Sequence, residues 1–444
     1  MSASSDFRKC FSKKHLIDIY NPSLRYRAAV GIDRINTRLF ETNLNEHIRI
    51  IRRKAFNGTY RFSQYREKLL LRGQKKLPRP ISIPTIRDKL TQKALFEVLY
   101  SVYGSSMPFL HQIIADVIAT LSGGQYDAVL RFDAKDFYPS INHDLLMKKI
   151  QKKMRKKEIL HLIKDAISQR TVPEPESHPK TFTTVGVPQG LSISNLLADI
   201  YMSALDSKHN RKGFYRYFRY VDDILIICKS ADCDRIQKEI EEDCGNLQLN
   251  LHGKDDDPSK ICSGSISNGF SYLGYEFTPS RITVRRKSLD YLRESLIKLF
   301  TTYKYSRTHD LNLLKWGLDL RITGCIFDYR KYGWLFFFSQ IDDLPLLNSL
   351  DHFVKKQCFR FGVDPSQLKV KRFVRAYHEI RKNISNTSYI PNFDKMPIKS
   401  KRRLLTDIFN VQTKLMSADE IQYQFNKRIY RTVRDLERDL ARAS

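Results

Sequence analysis

Cysteine is scarce in this chain, and the seven present form no CxxC pair. An odd count without paired spacing argues against a disulfide framework and against a structural zinc site. The nearest two, Cys228 and Cys233, have no matching second pair. Long apolar runs are missing too. The opening MSASSDFRKCF lacks the apolar core of a signal peptide, and the aromatic burst from Trp334 to Phe338 is far too short to span a bilayer. A cytoplasmic protein without a membrane partner is expected. No repeat period and no low-complexity linker interrupts the sequence. Acidic residues are in deficit, 48 against 77 Lys and Arg, for a net charge of +29. Such an excess repels itself unless a polyanion neutralises it. Nucleic acid is the first choice, because each neutralised phosphate releases a counterion. An acidic protein or an anionic membrane surface is the blander alternative.

What is present suffices for two or three packed units: 444 residues, 41% of them hydrophobic. Residues 1–125 mix helical patterns with the Pro-punctuated, extended stretch LPRPISIPTIRD. Residues 126–280 hold short β-branched and aromatic runs separated by helices, the pattern of an α+β layer. Beyond 281 the reading is helical and basic. Near the end, Phe425, Ile429, Val433, Leu436 and Leu440 recur at spacings of four, four, three and four, which predicts one buried helix face.

Three segments carry chemistry. In the first, Ala128–Ser140, an apolar run that reads as a buried strand delivers Asp133 at its end. In the second, Tyr217–Ile227, two strand-like runs flank Val221-Asp222-Asp223, which predicts adjacent carboxylates at a hairpin tip. Like charges so close to an apolar sheet raise each other's pKa, and a divalent cation relieves the conflict. If the two segments are neighbouring strands, Asp133 and Asp222 grip a shared pair of ions from two sides. Such a pair activates a primer 3′-hydroxyl and stabilises leaving pyrophosphate. A lone Asp-Asp is most often only a turn between strands; the upstream partner segment is what shifts the balance. The third, Val185–Asn195, combines Gly and Pro in a close-approach loop, and Ser192 to Asn195 are placed to cap the apolar helix that follows.

Taken in order, FDAKDFYPSI, GVPQGLSISN and YVDD resemble the palm motifs of reverse transcriptases. FSYLGYEF resembles the primer grip that follows the palm in bacterial members, and RPISIPTIRDKLTQKAL resembles the fingers motif of group II intron-like and retron-like enzymes. The resemblance implies an α+β right-hand polymerase: N-terminal helices and fingers over 1–125, palm over 126–280, helical thumb over 281–400 and a helical extension over 401–444. It implies an RNA-directed DNA polymerase using two Mg²⁺ ions, with Mn²⁺ as the substitute. Asp133, Asp222 and Asp223 match the metal-binding catalytic carboxylates. Tyr138 matches the aromatic gate that leaves no room for a 2′-hydroxyl. Gln189 and Gly190 match positions lining the nucleotide and template pocket. Arg79 and Arg72 fall where fingers cations contact the triphosphate, and Leu273, Gly274 and Tyr275 match the primer grip. The family's lysine that assists the leaving group is ambiguous here; Lys254 and Lys260 both qualify, with Lys254 slightly preferred.

The implied partners are an RNA template, deoxynucleotides and a DNA product. Group II intron enzymes often carry a DNA-binding tail and a Cys/His-rich endonuclease, which are not recognisable here, and a retron-type VTG element is absent after the palm. The chain therefore looks most like bacterial defence-associated reverse transcriptases, which work with a dedicated noncoding RNA. A retron or intron polymerase, or an RNA-binding protein with a relic palm, is the alternative. Two further features suit nucleic acid. Lys148, Lys149, Lys152, Lys153, Arg155, Lys156 and Lys157 form a basic run that is otherwise a solvated helix face. Tyr329, Arg330, Lys331, Tyr332 and Trp334 interleave aromatics with charge, although core packing is the expected role of Trp334.

Overall fold

The computed structural model describes residues 3–26, 28–71, 77–104, 109–175, 183–253 and 262–441; Arg72, Lys254 and Lys260 lie outside these. The chain divides into two compact units, 1–265 and 266–444.

In the first unit the strands are β1 (Tyr65–Leu70), β2 (Arg79–Ile83), β3 (Ala128–Asp133), β4 (Thr171–Val172), β5 (Arg216–Tyr220), β6 (Asp223–Cys228) and β7 (Cys262–Ser265). Four of them form a wholly antiparallel sheet in the order β5-β6-β3-β7. The inner strands β3 and β6 are near-continuous apolar runs, and Val129, Leu130, Phe132 and Ile224–Cys228 are all buried. A strand covered on both faces requires that composition. A smaller sheet, β2-β1-β4, brings the Pro-punctuated stretch into register as β2 against β1. The helix Ile86–Tyr103 runs through the core and buries residues on every side. Thr85 starts it by accepting the Asp88 backbone N–H on its hydroxyl at 3.1 Å.

The helix after the third motif spans Ser194–His209 and has no side-chain cap; Ile193 occupies the cap position. This differs from the capping expected of Ser192 to Asn195. The Ser194 hydroxyl instead donates to the Pro188 carbonyl at 2.7 Å, so it stiffens the preceding loop rather than the helix end.

The second unit contains the antiparallel meander β8 (Phe270–Tyr272), β9 (Tyr275–Thr278) and β10 (Arg281–Val284), and the hairpin β11 (Cys325–Phe327) with β12 (Arg330–Tyr332). Strands of residues 270–284 thus belong to the same compact unit as the helices that follow them. Its long helices include Arg286–Lys304, Leu344–Arg360 and Ala418–Ala441. On the last, Phe425, Ile429, Val433 and Leu436 are buried, the face that the spacing predicts. Trp334 is buried as well, which is the expected core role. Among the described residues, no helix is long and apolar enough to cross a membrane.

Candidate active site

The register of β3 against β6 sets Asp133 directly opposite Asp223. Such cross-strand partners have Cα atoms roughly 5 Å apart and point their side chains to one face. Tyr220 pairs with Asp223 on the other side, so Val221 and Asp222 form the two-residue turn of the β5–β6 hairpin. Val221 has φ 58°, a left-handed conformation in which a β-branched residue is strained. Arg219 holds that strain in place. Its guanidinium donates to the Val221 carbonyl at 2.7 Å while bonding Asp206 at 2.7 and 2.5 Å and Asp199 at 2.9 Å, both on helix Ser194–His209. Tyr217 donates to Asp206 at 2.9 Å and completes the buried network.

Asp222 is half-buried. Burial first, then the negative charge of Asp133 and of Asp223, push its carboxyl up to about 6, against the opposing pull of Arg79. Arg79, at the exposed start of β2, is therefore near enough to feel the acidic turn. Asp223 is engaged differently. Arg131, two residues before Asp133 and on the same sheet face, forks onto it: Nε donates to one oxygen at 2.8 Å and Nη2 to the other at 2.6 Å. The sequence reading missed this arginine. Among the described residues, the trios whose donor atoms all lie within 4.8 Å of one another are Cys10/His15/Glu97 and His209/Glu239/Asp243. The three aspartates are not among these trios.

The loop of the third motif closes around the first. Val187 N–H donates to the Tyr138 carbonyl at 2.8 Å, Gly186 N–H to the Ile141 carbonyl at 2.8 Å, and His143 bonds the Gly186 carbonyl at 2.7 Å. The Gln189 carbonyl accepts Ser82 N–H from β2 at 2.7 Å, so loop and small sheet are joined. Gly190 has φ 104°, and a Cβ there would lie 2.9 Å from both Ile81 and the Ser82 carbonyl; no other residue fits. The Tyr138 hydroxyl donates to Asn195 at 2.8 Å. Burial, then the charge of Asp222, raises its pKa, with Arg79 opposing. Asp133, Asp222, Asp223, Tyr138, Arg79 and the 185–190 loop thus form one neighbourhood.

Leu273, Gly274 and Tyr275 lie in the second unit. Leu273 (φ 49°) and Gly274 (φ 83°) make the turn between β8 and β9, and a Cβ on Gly274 would press on the Phe338 ring at 3.3 Å. Tyr275 donates to the Phe337 carbonyl at 2.5 Å. Of the basic run, Lys149 is tied to the Tyr201 carbonyl, Lys153 lies over the Tyr103 ring, and Lys156 pairs with Glu158 at 3.1 Å. Lys148, Lys152, Arg155 and Lys157 are exposed.

Residues 71–277 match the family described as reverse transcriptase (RNA-dependent DNA polymerase). Over those residues the chain is similar to the reverse transcriptases. Similar curated relatives include Protein YkfC of Escherichia coli, 24% identical over 56% of this chain and 76% of that one. The group II intron-encoded protein LtrA of Lactococcus lactis is 28% identical over 36% of this chain and 28% of its own length. Among solved structures, apo telomerase from Candida tropicalis aligns with a TM-score of 0.39 at 15% identity, over 87% of this chain and 74% of that one. Telomerase from Candida albicans, solved with a fragment of telomeric RNA, aligns with a TM-score of 0.40 at 14% identity, over 84% and 68%.

Proposed function

We propose that this chain is a reverse transcriptase that extends a primer 3′ end with deoxynucleotides along an RNA template, with Asp133, Asp222 and Asp223 arranged around two Mg²⁺ ions. The observation that carries this reading is the strand register, which sets Asp133 opposite Asp223 with Asp222 in the adjoining turn. An all-oxygen, hard-donor set suits Mg²⁺, and Mn²⁺ as its substitute. The mutual repulsion around Asp222 is what a divalent cation would relieve. When bound, such ions supply activation of the attacking hydroxyl and neutralisation of the leaving pyrophosphate.

The chain's own residues divide the remaining work. Arg79 offers a planar fork to the triphosphate. The Tyr138 ring, anchored through Asn195, fills the space a 2′-hydroxyl would need. Gln189 and Gly190 line the pocket for the nucleotide and template. Arg72 and Lys254, with Lys260 the other choice, take their triphosphate and leaving-group roles from the resemblance alone, as Leu273–Tyr275 take that of primer grip. Palm, fingers and thumb are assigned on the same basis. Arg131 acts as the internal counter-cation of Asp223 and so weakens the site's hold on metal.

The template in this reading is a dedicated noncoding RNA, and the setting is antiviral defence in the bacterial cytosol. The basic excess supports an RNA partner, and the dedicated RNA and the defence setting come from the resemblance alone. Similarity to LtrA favours an intron-type role as the second reading. Sequencing nucleic acids that copurify with the protein separates the two.

Purified protein with Mg²⁺, a primed RNA template and deoxynucleotides should extend the primer. Changing Asp222 and Asp223 together to alanine should lower extension on the order of 10³-fold or more, with RNA affinity unchanged. Arg131→Gln should bind Mn²⁺ several-fold tighter in a nucleotide-free titration read by electron paramagnetic resonance. Extension that survives the double alanine change refutes the assigned carboxylates.

A further inference from the structure

The hairpin of β11 and β12 in the second unit has an odd tip. Phe327 pairs with Arg330, so Asp328 and Tyr329 are a two-residue turn, with φ of 53° and 57°. Two successive left-handed residues are what a type I′ turn needs, and Asn-Gly is the usual choice. Aspartate tolerates that backbone, whereas tyrosine is strained in it. Nothing in the packing returns the cost, since Tyr329 is 93% exposed. Its aromatic neighbours behave conventionally: Phe327, Tyr332 and Trp334 are buried.

The tip is also held rigidly. One Asp394 carboxylate oxygen accepts the Asp328 N–H at 2.7 Å and the other accepts the Tyr329 N–H at 2.9 Å. Ile326 N–H donates to the Pro391 carbonyl and Phe393 N–H to the Ile326 carbonyl, both at 2.9 Å, so the segment carrying Asp394 is laced to β11. The Phe327 ring packs on Tyr430 with centroids 4.6 Å apart. A strained, braced and fully solvated aromatic, followed directly by the exposed cations Arg330 and Lys331, makes no sense as core.

We propose that this hairpin tip is a base-stacking site for single-stranded RNA, with Tyr329 as the platform and Arg330 and Lys331 as phosphate contacts. Stacking on an aromatic face is tolerant of sequence, and neighbouring cations supply the salt-dependent part of such binding. Asp394 fixes the backbone of the tip in advance, so binding has only the side chains left to order. RNA fits better than a protein partner, because an aromatic anchor at a protein interface sits within a water-excluding surround, and this ring is flanked by charge. The site rests on the reading of the chain as RNA-binding, but it uses none of the residues assigned to catalysis.

The test uses the full chain and a single-stranded RNA carrying 2-aminopurine, with fluorescence quenching and anisotropy read at matched salt. Tyr329→Gly should weaken binding by about 5- to 100-fold and abolish the quenching, while Tyr329→Trp retains both. Glycine relieves the left-handed strain, so a melting temperature at or above that of the unaltered protein shows that lost binding is not misfolding. Primer extension by Tyr329→Gly at saturating template should proceed at the unaltered rate. That arm keeps the two ideas apart: failed extension by the unaltered protein strikes the polymerase reading alone. Unchanged RNA affinity in Tyr329→Gly overturns the stacking site, as does a Tyr329→Gly effect confined to self-association.

Discussion

The β5–β6 turn of the first unit and the β11–β12 turn of the second both hold non-glycine residues on left-handed backbone, and they are braced in opposite ways. At the β5–β6 turn the support comes from next door and from below: Arg219, two residues before Val221, reaches the Val221 carbonyl while bonded to the buried Asp199 and the half-buried Asp206. At the β11–β12 turn it comes from far along the chain, where Asp394 takes both amide hydrogens of the tip. The first turn has apolar backing, since Val221 packs against the core, and presents carboxylates. The second has none under its ring and presents a tyrosine. A charged anchor buried beneath a turn fixes where acids point. A carboxylate clasping the backbone leaves the side chain wholly to solvent.

The sharpest way to break the comparison is to remove each brace. Arg219→Met leaves the buried Asp199 and the half-buried Asp206 without their guanidinium, and should cost about 3–5 kcal/mol in chemical denaturation. Asp394→Ala strips two hydrogen bonds from a solvated turn and should cost only about 1–2 kcal/mol. Equal losses would show that the two turns do not differ in the way described. The next effect is electrostatic and belongs to the first hairpin alone. The Asp222 carboxyl titrates at about 6 in the folded chain, above its unfolded value of about 4. Its contribution is thus fully present below pH 4 and is lost as pH rises through 6. Without metal, unaltered protein should therefore lose stability relative to Asp222→Asn across that window, by at most about 1.4 kcal/mol per pH unit. Added Mg²⁺ should restore it; parallel curves for the two proteins would remove Asp222 from the coupled cluster. Smallest is the glycine exchange. Tyr329→Gly should gain about 1 kcal/mol, since strain of about 1–3 kcal/mol is released against the entropy of an unfolded glycine. Val221→Gly should change stability little, because lost packing offsets the same release.

The acidic turn was legible because its signals are local. An apolar run ending in Asp133 and a second run after Val221-Asp222-Asp223 both have to be strands, and strands of that composition pair. The terminal helix face was legible for the same reason, from periodicity alone. The braces were not. Arg131 reads as one more polar residue within a strand until the register with β6 sets Asp223 within reach of its fork. Arg219 reads as an alternating outward residue until helix Ser194–His209 covers it with two carboxylates. Asp394 lies 65 residues from the tyrosine whose amide it holds. The helix cap expected from Ser192 to Asn195 failed similarly, since Ser194 found the Pro188 carbonyl instead.

Sequence by itself determined which residue types this chain offers, in what order, and on which strands and helices they ride, because hydrophobic period and turn chemistry act within a few residues. Tertiary structure alone decided which charges meet: that Arg131 claims Asp223, that Asp222 shares its field with Asp133 and Arg79, and that Tyr329 is pushed outward while Trp334 is swallowed. Ion pairs and burial depend on separations through space, and only the folded chain sets those.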